Sequence, residues 1–333
     1  MLVTGGAGFV GSHACKALAG AGYTPVTYDN LVHGHETAVR WGPLEVGDIL
    51  DGAKLAAVLA RYRPIAVLHF AAFAYVGESM TNPVKYYRNN VAGSVTLFEA
   101  ALQHGIRRVV FSSSCATFGI PRGGPIAEDH AQVPVNPYGR TKLVVEQLLS
   151  DLDYAHGLRS IVLRYFNAAG ADPDGQLGEM HLPETHLIPL VLDVAAGRRR
   201  SIPVFGVDHG TPDGSCIRDY VHVSDLATAH VQAVERLLAG EGSAAFNLGT
   251  GRGASVMEVI EAARRVTGRD IPIEIAPARP GDPPALIAAS DQARVALGWR
   301  PQWAALEAQI EHAWRWVESR QSRTVTPVCT STT

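Results

Sequence analysis

The chain has 333 residues, is 47% hydrophobic and carries a formal net charge of −3. That length suffices for one large or two ordinary domains with a sizeable core, and the charge balance leaves no basic surface of the kind that engages nucleic acid. No uninterrupted apolar run approaches ~20 residues, so neither a transmembrane helix nor a membrane partner is expected, and Cys15, Cys115, Cys216 and Cys329 match no zinc spacing and read as reduced cytoplasmic thiols.

Met1–Thr4 reads as a buried strand rather than a charged and then apolar leader. Gly5, Gly6, Gly8 and Gly11 follow, ahead of a helix expected over Ser12–Ala21. Strand, glycine turn and helix in that order are what a dinucleotide fingerprint requires. The first glycines permit the tight turn, Gly8 lets backbone approach a pyrophosphate, and Gly11 lets the helix pack on the strand. Phe9 and Val10, between these glycines, join the candidate cofactor set. The helix N-terminus would face phosphates with free N–H groups. Without a ligand, the same residues would be an ordinary glycine turn.

Thr24–Tyr28 is expected as the second strand, with Asp29 at its end. An acid there accepts hydrogen bonds from ribose hydroxyls, and Asn30, Leu31 and Val32 offer no arginine for a 2′-phosphate. That favours NAD over NADP, although Asp29 could also simply cap a loop. Leu44–Val46 reads as a third strand ending at Asp48 and Ile49, and Asp48 is a candidate for the adenine amino group. Ile65–Phe70 is a nearly apolar strand suited to a covered parallel sheet. Phe70, Ala71 and Ala72 after it are apolar, and the two alanines leave room for a cofactor to pass. A long helix is expected from Pro83 to about His104, with Asn89 and Asn90 inside it. A buried amide there needs a backbone or cofactor partner.

Arg107–Phe111 reads as the fifth strand, ending in Ser112, Ser113 and Ser114. Ligands in such sheets lie beyond the carboxyl ends of strands. Pro137 then suits the first turn of a helix running to His156. Tyr138 and Lys142, four residues apart, share one face of it. A cation beside a phenol favours the phenolate, and reaching a pKa of about 6–7 needs roughly 4–5 kcal/mol, more than one lysine supplies. A cationic nicotinamide ring would supply the rest. Alone, the same pair could be a core tyrosine and a solvated lysine.

Arg159–Tyr165 is the sixth strand. Strand and helix alternating in this way predict an α/β chain with a Rossmann-type doubly wound parallel sheet over residues 1–168. A composition change after Ala168 marks a smaller C-terminal α/β substrate domain over 169–320. A segment near 216–250, including Ile217–Val223, is expected to return to the large sheet, and 321–333 reads as a tail. Glu179, His181, Glu184 and His186 share one loop and could conceivably ligate a metal. A loop is a poor preorganised cage, so we read them as polar loop residues and expect no metal.

Thr4–His13, Tyr28–Leu31, Gly47–Ile49, Val76–Ser79, Tyr86–Asn90, Phe111–Ser114, Pro137–Lys142, Leu163–Asn167, Arg218–His222 and Asn247–Gly251 together resemble the extended short-chain dehydrogenase/reductases, specifically the UDP-glucose (UDP-galactose) 4-epimerase family, over residues 1–318. The resemblance implies an isomerase with tightly held NAD. Tyr138 would take the proton of the sugar 4-hydroxyl as hydride leaves, and the 4-keto sugar would turn and be reduced on its other face. Lys142 would hold the nicotinamide ribose and Ser114 the 4-oxygen. Asp29, Asn30, Asp48, Ile49, Phe70, Asn89, Ser112 and Tyr165 would line NAD. Asn167, Leu187, Phe205, Arg218, Arg279 and Asp282 would hold the UDP moiety, with His186 at the diphosphate where many relatives carry asparagine. Leu286 would gate the sugar pocket. Ala74 replaces a phosphate-binding lysine common in the family. The stretches around Ala71–Gly77 and Ser114–Gly119 look closer to a branch that includes pentose epimerases, so UDP-arabinose, UDP-xylose and N-acetylhexosamine substrates stay open. A 4,6-dehydratase or decarboxylase would need an acid near the serines, and Cys115-Ala116-Thr117 offers none. The family also implies a homodimer through helices around Val91–Leu102 and Val144–Leu152.

Overall fold

The computed structural model describes residues 1–121, 123–279 and 282–324. Pro280, Gly281, Cys329 and most of the expected tail lie outside the described residues. In chain order the elements are β1 (Leu2–Thr4), α1 (Phe9–Gly20), β2 (Val26–Asp29), β3 (Leu44–Val46), α2 (Gly52–Tyr62), β4 (Val67–His69), α3 (Val76–Thr81), α4 (Pro83–Tyr86), α5 (Gly93–Gln103), β5 (Arg108–Ser114), α6 (Pro137–His156) and β6 (Arg159–Tyr165). They continue with β7 (Asn167–Ala169), α7 (Leu187–Ala195), β8 (Ile202–Phe205), β9 (Ile217–His222), α8 (Val223–Leu238), β10 (Ala244–Leu248), β11 (Gly253–Ser255), α9 (Val256–Thr267), β12 (Ile273–Ala276), β13 (Ala285–Leu286), α10 (Asp291–Ala296) and α11 (Leu306–Thr324).

Seven parallel strands form the main sheet in the order β10-β6-β5-β4-β1-β2-β3. Successive side chains of a strand face opposite sides, and the two sides have separate cores. Val3, Leu68, Val110, Ile161 and Leu163 pack with Cys15 and Leu18 of α1 and Leu226 and Val234 of α8. Leu2, Val67, Val109, Phe111 and Val162 pack with Leu55 of α2, Leu97 of α5 and Val145 of α6. A sheet buried on both faces explains the nearly continuous apolar strands. A third core joins α7, α9 and α11 through Val191, Ile260 and Trp314. β8 and β12 pair beside it.

Three expectations need correction. Ile217–Val223 does not return to the large sheet. As β9 it pairs with β7, β11 and β13 in a separate small sheet. Its polar Asp219 is satisfied by loop N–H groups, which a central strand of the large sheet would not offer. The segment that does return is α8 with β10, which takes the edge beside β6. Helix α1 starts at Phe9, three residues earlier than expected, because Gly8 already takes the extended cap conformation. The long helix from Pro83 contains a π-helical segment over Tyr87–Ala92. There the Asn90 side chain accepts from Phe73 N at 2.9 Å and donates to Phe73 O at 3.0 Å and to Thr141 Oγ1 at 3.1 Å. Such a local widening is characteristic of π segments.

Candidate active site

The glycine turn is built by close approach. Gly5 has φ 73°, and a Cβ there would lie 2.6 Å from the backbone N of Ala71. A Cβ on Gly11 would lie 2.2 Å from the Gly5 carbonyl oxygen. Gly8 caps α1 without any side-chain acceptor, and the first turn holds no acid. The leading N–H groups therefore have no competing anion, which fits a pyrophosphate. Asp29, 8% exposed, accepts from Ala7 N at 3.0 Å and Leu31 N at 2.9 Å. Each oxygen keeps a second lone pair for a ribose hydroxyl. Asp48 accepts from Leu50 N and from the amide of Asn30, both at 2.9 Å. Ile49 is buried under the π segment, where Gly93 leaves it room. Asn89 donates to Asn90 Oδ1 at 2.9 Å. Phe70 stacks near His230, with ring centroids 4.5 Å apart. The residues expected to line the cofactor thus gather at the carboxyl ends of β1, β2, β3 and β4, with Asn89 on the π segment, where the fold rule puts a dinucleotide.

Tyr138 is delivered by the start of α6. Asn136 caps that helix by accepting from Gly139 N at 2.8 Å, and Pro137 occupies the first turn. Gly139 permits the approach to the turn after β5, since a Cβ there would meet Ala116 O at 2.3 Å. The phenol lies beside Ser114, whose hydroxyl favours its ionised form. Lys142, one turn on, donates to Ser112 O at 2.7 Å, and its Nζ lies 5.9 Å from the centre of the Tyr138 ring. Ser112 Oγ and the Tyr165 hydroxyl are also bonded to each other.

The electrostatics of the protein alone differ from the expected phenolate. Burial pushes the Tyr138 hydroxyl above its ordinary value, Tyr165 adds to this, and the Ser114 hydrogen bond opposes it. Burial likewise lowers Lys142 to about 7, against the pull of the Glu146 carboxylate. Desolvation disfavours the charged form of both groups. A single lysine whose ammonium points at a carbonyl does not reverse that. Burial also pushes Tyr165 up to about 12.

On the other side of the cleft, the Arg279 guanidinium stacks on the Phe205 ring at 3.9 Å. Arg218 donates to Ile217 O at 2.7 Å and pairs with Asp282. Leu286 pairs in register with Arg218 and packs on the cluster of Cys115, Phe118 and Phe166. Asn167 lies on β7, paired with Tyr220. His186 instead joins Glu179, His181 and Glu184 just before Leu187 opens α7. Burial works against a charge on His186, yet the Glu179 carboxylate beside it holds its pKa well above the ordinary value.

Sequence reasoning missed two supporting groups. Glu146, 6% exposed, accepts from Arg164 at 2.7 Å and also from Ser113 and Gln132. It lies four residues beyond Lys142 on the same helix, so the 3.6-residue period could have singled it out. Asp219 accepts from Thr250 N at 2.8 Å, Gly251 N at 3.0 Å and Ala288 N at 3.1 Å, fixing the loops around Arg218. Those partners are distant in sequence and left no local signal.

Fold and side-chain set define a dinucleotide-dependent α/β enzyme with a tyrosine, lysine and serine at its reacting end. Residues 1–249 match the model of the NAD dependent epimerase/dehydratase family, and the chain belongs to that family. It is 55% identical over 316 residues to a UDP-glucose 4-epimerase of Rhizobium leguminosarum bv. trifolii, covering 95% of this chain and 96% of that one. A UDP-glucose 4-epimerase from Brucella ovis in complex with NAD superposes with a TM-score of 0.92 at 55% identity, covering 94% and 96% of the two chains. A Bifidobacterium longum UDP-glucose 4-epimerase in complex with NAD+ and UDP gives 0.91 at 35% identity, covering 96% and 98%.

Proposed function

We infer that the protein is an NAD-dependent isomerase that interconverts UDP-galactose and UDP-glucose by inverting sugar carbon 4. The observation that carries this is Tyr138 beside Ser114 at the carboxyl end of β5, with Lys142 one turn along α6 donating to Ser112 O. Bound NAD supplies the reversible hydride acceptor.

The chain's own residues do the rest. As phenolate, the form that a cationic nicotinamide ring and a protonated Lys142 would favour, Tyr138 accepts the proton of the 4-hydroxyl and later returns it. Ser114 holds the 4-oxygen throughout. The sugar has to present both faces in turn, so little binding energy can be spent on it. Nucleotide contacts therefore dominate, and the candidates for them are Phe205 with the Arg279 stacked on it, Arg218, Asn167 and Leu187. Arginine forks suit a diphosphate. Asp282 holds Arg218 until an anion replaces it, and Leu286 borders the sugar pocket.

We read residues 1–168, with the returning segment near 216–250, as the NAD-binding part and 169–320 as the UDP-sugar-binding part. A homodimer through α5 and α6 is supported by exposed apolar side chains there: Val95 and Val144 on the two helices are 44% and 36% exposed. The described cysteines Cys15, Cys115 and Cys216 are free and buried, consistent with a cytoplasmic location. No helix among the described residues is long and apolar enough to cross a membrane.

The test is a product assay with UDP-galactose, UDP-N-acetylgalactosamine and UDP-xylose in parallel. UDP-glucose as the main product of the first, with no change of mass, is expected. A dehydrated or decarboxylated product would overturn the assignment.

A further inference from the structure

The loop before α7 carries an arrangement that epimerisation does not use. Glu179, His181, Glu184 and His186 each bring one ligating atom into a group in which all four atoms lie within 4.8 Å of one another. The two imidazole Nδ1 atoms converge on a single carboxylate oxygen: His181 Nδ1 is 2.9 Å and His186 Nδ1 2.7 Å from Glu179 Oε1. Glu184 closes the group, 3.0 Å from His186 Nδ1 and 3.9 Å from His181 Nδ1. Glu179 is 7% and Glu184 14% exposed, so two carboxylates are gathered away from water. The loop is held in place from outside. His35 Nε2 contacts Met180 O at 2.6 Å, Trp316 Nε1 donates to Glu179 O at 3.3 Å, and the His181 ring packs on Phe9 and Tyr75.

Two largely buried carboxylates need compensating positive charge, which shared protons or one divalent cation would supply. Two imidazole nitrogens and two carboxylate oxygens are a zinc-type donor set. We propose that Glu179, His181, Glu184 and His186 form a binding site for one divalent transition-metal ion, zinc first among them, that clamps this loop over the glycine turn. In binding, the ion takes the Nδ1 lone pairs. Any proton held at those nitrogens leaves to solvent, up to one for each histidine. No electron transfer is involved.

Tag-free protein is treated with EDTA, dialysed, and titrated with Zn2+ and separately with Mg2+, by calorimetry in two buffers of different ionisation enthalpy. Metal content after equilibrium dialysis is read by mass spectrometry. One zinc per chain, buffer-dependent heat from proton release and no magnesium binding are expected. Glu179→Gln and His181→Ala should each weaken zinc by more than about 100-fold, beyond the roughly 10–100-fold loss expected for a mere supporting contact. Circular dichroism and retained NAD report whether each variant folds. Zinc binding that is absent in the wild-type protein, or that both folded variants leave unchanged, would overturn the site and leave hydrogen-bonded histidine–glutamate contacts. Where one variant fails to fold, the other locates the ion, and either result is independent of the epimerase assignment.

Discussion

The Lys142 ammonium donates to the carbonyl oxygen of Ser112 at 2.7 Å, joining the first turns of α6 to the carboxyl end of β5. It is also 4.9 Å from the centre of the Phe111 ring. This anchored cation is 3% exposed, and burial lowers its pKa from 10.5 to about 7. The unfolded chain therefore binds more protons than the folded one between those values. By linkage, the cost of burying the charge is fully present below pH 7 and is relieved as pH rises toward 10.5. Stability should climb across that window by at most about 1.4 kcal/mol per pH unit from this group. Urea unfolding at pH 7 and pH 9 measures the climb, and Lys142→Met should flatten it while lowering turnover.

Tyr138→Phe removes only the hydroxyl that faces Ser114. Turnover should fall by about 10²–10⁴-fold, the usual range for a proton-transfer group. NAD content and UDP affinity should stay as they were. Unchanged turnover in a fully NAD-loaded variant would take Tyr138 out of the chemistry.

Most of this site was legible in the sequence because local spacing specifies it. The glycines encode positive φ and close approach, and the four-residue interval puts Tyr138 and Lys142 on one helix face. What was not legible depended on pairing at long range. Ile217–Val223 looked like any apolar strand, and nothing local said that β10 would take the sheet edge instead. Glu179, His181, Glu184 and His186 were legible as one polar loop, but not the contacts of Met180 and Trp316 that fix its backbone. The raised Tyr138 pKa follows from burial, which periodicity predicts poorly for the first turn of a helix.

Arg218 is held by Asp282 and Ile217 O in a spot 13% exposed. Arg218→Ala should weaken UDP binding by about 1.5–3 kcal/mol, the range for charge-assisted hydrogen bonds, which is roughly ten- to hundredfold. Arg279→Ala, which loses a stack on Phe205, should lose less, about 0.5–2 kcal/mol. Calorimetric titration with UDP separates the two. Equal losses would mean that Arg279 contacts the diphosphate as closely as Arg218 does.

Glu146 and Arg164 form an ion pair whose side chains are 6% and 9% exposed. Glu146→Gln leaves the guanidinium facing a neutral amide. Breaking a buried pair by removing one partner costs about 3–5 kcal/mol. The midpoint of urea unfolding should shift accordingly. NAD content of the folded fraction should hold, because Glu146 supports β5 and β6 from behind the site. A midpoint within error of wild type would show that Arg164 finds compensation through Gln132 and Glu128.

Acid should destabilise the protein through its buried histidines. Burial lowers His13 and His230 to about 4 and His69 and His222 to about 3, from 6.5. Above pH 6.5 all four are neutral in both states and contribute no slope. Below it the unfolded chain binds protons that the folded chain refuses, so stability falls as pH drops from 6.5 toward 4. Each group adds at most about 1.4 kcal/mol per pH unit. His186 runs the other way. Held above its ordinary value by Glu179, its contribution is complete below pH 6.5 and fades as pH rises, so it offsets nothing in acid. His230 is a clean probe, since its Nε2 has no hydrogen-bond partner among the described residues. His230→Phe should reduce the loss of stability between pH 6.5 and pH 5 by up to about 2 kcal/mol, read by urea unfolding at the two values. An acid slope identical to wild type would mean that His230 is already protonated in the folded protein, with its charge met by a group other than Leu226 O.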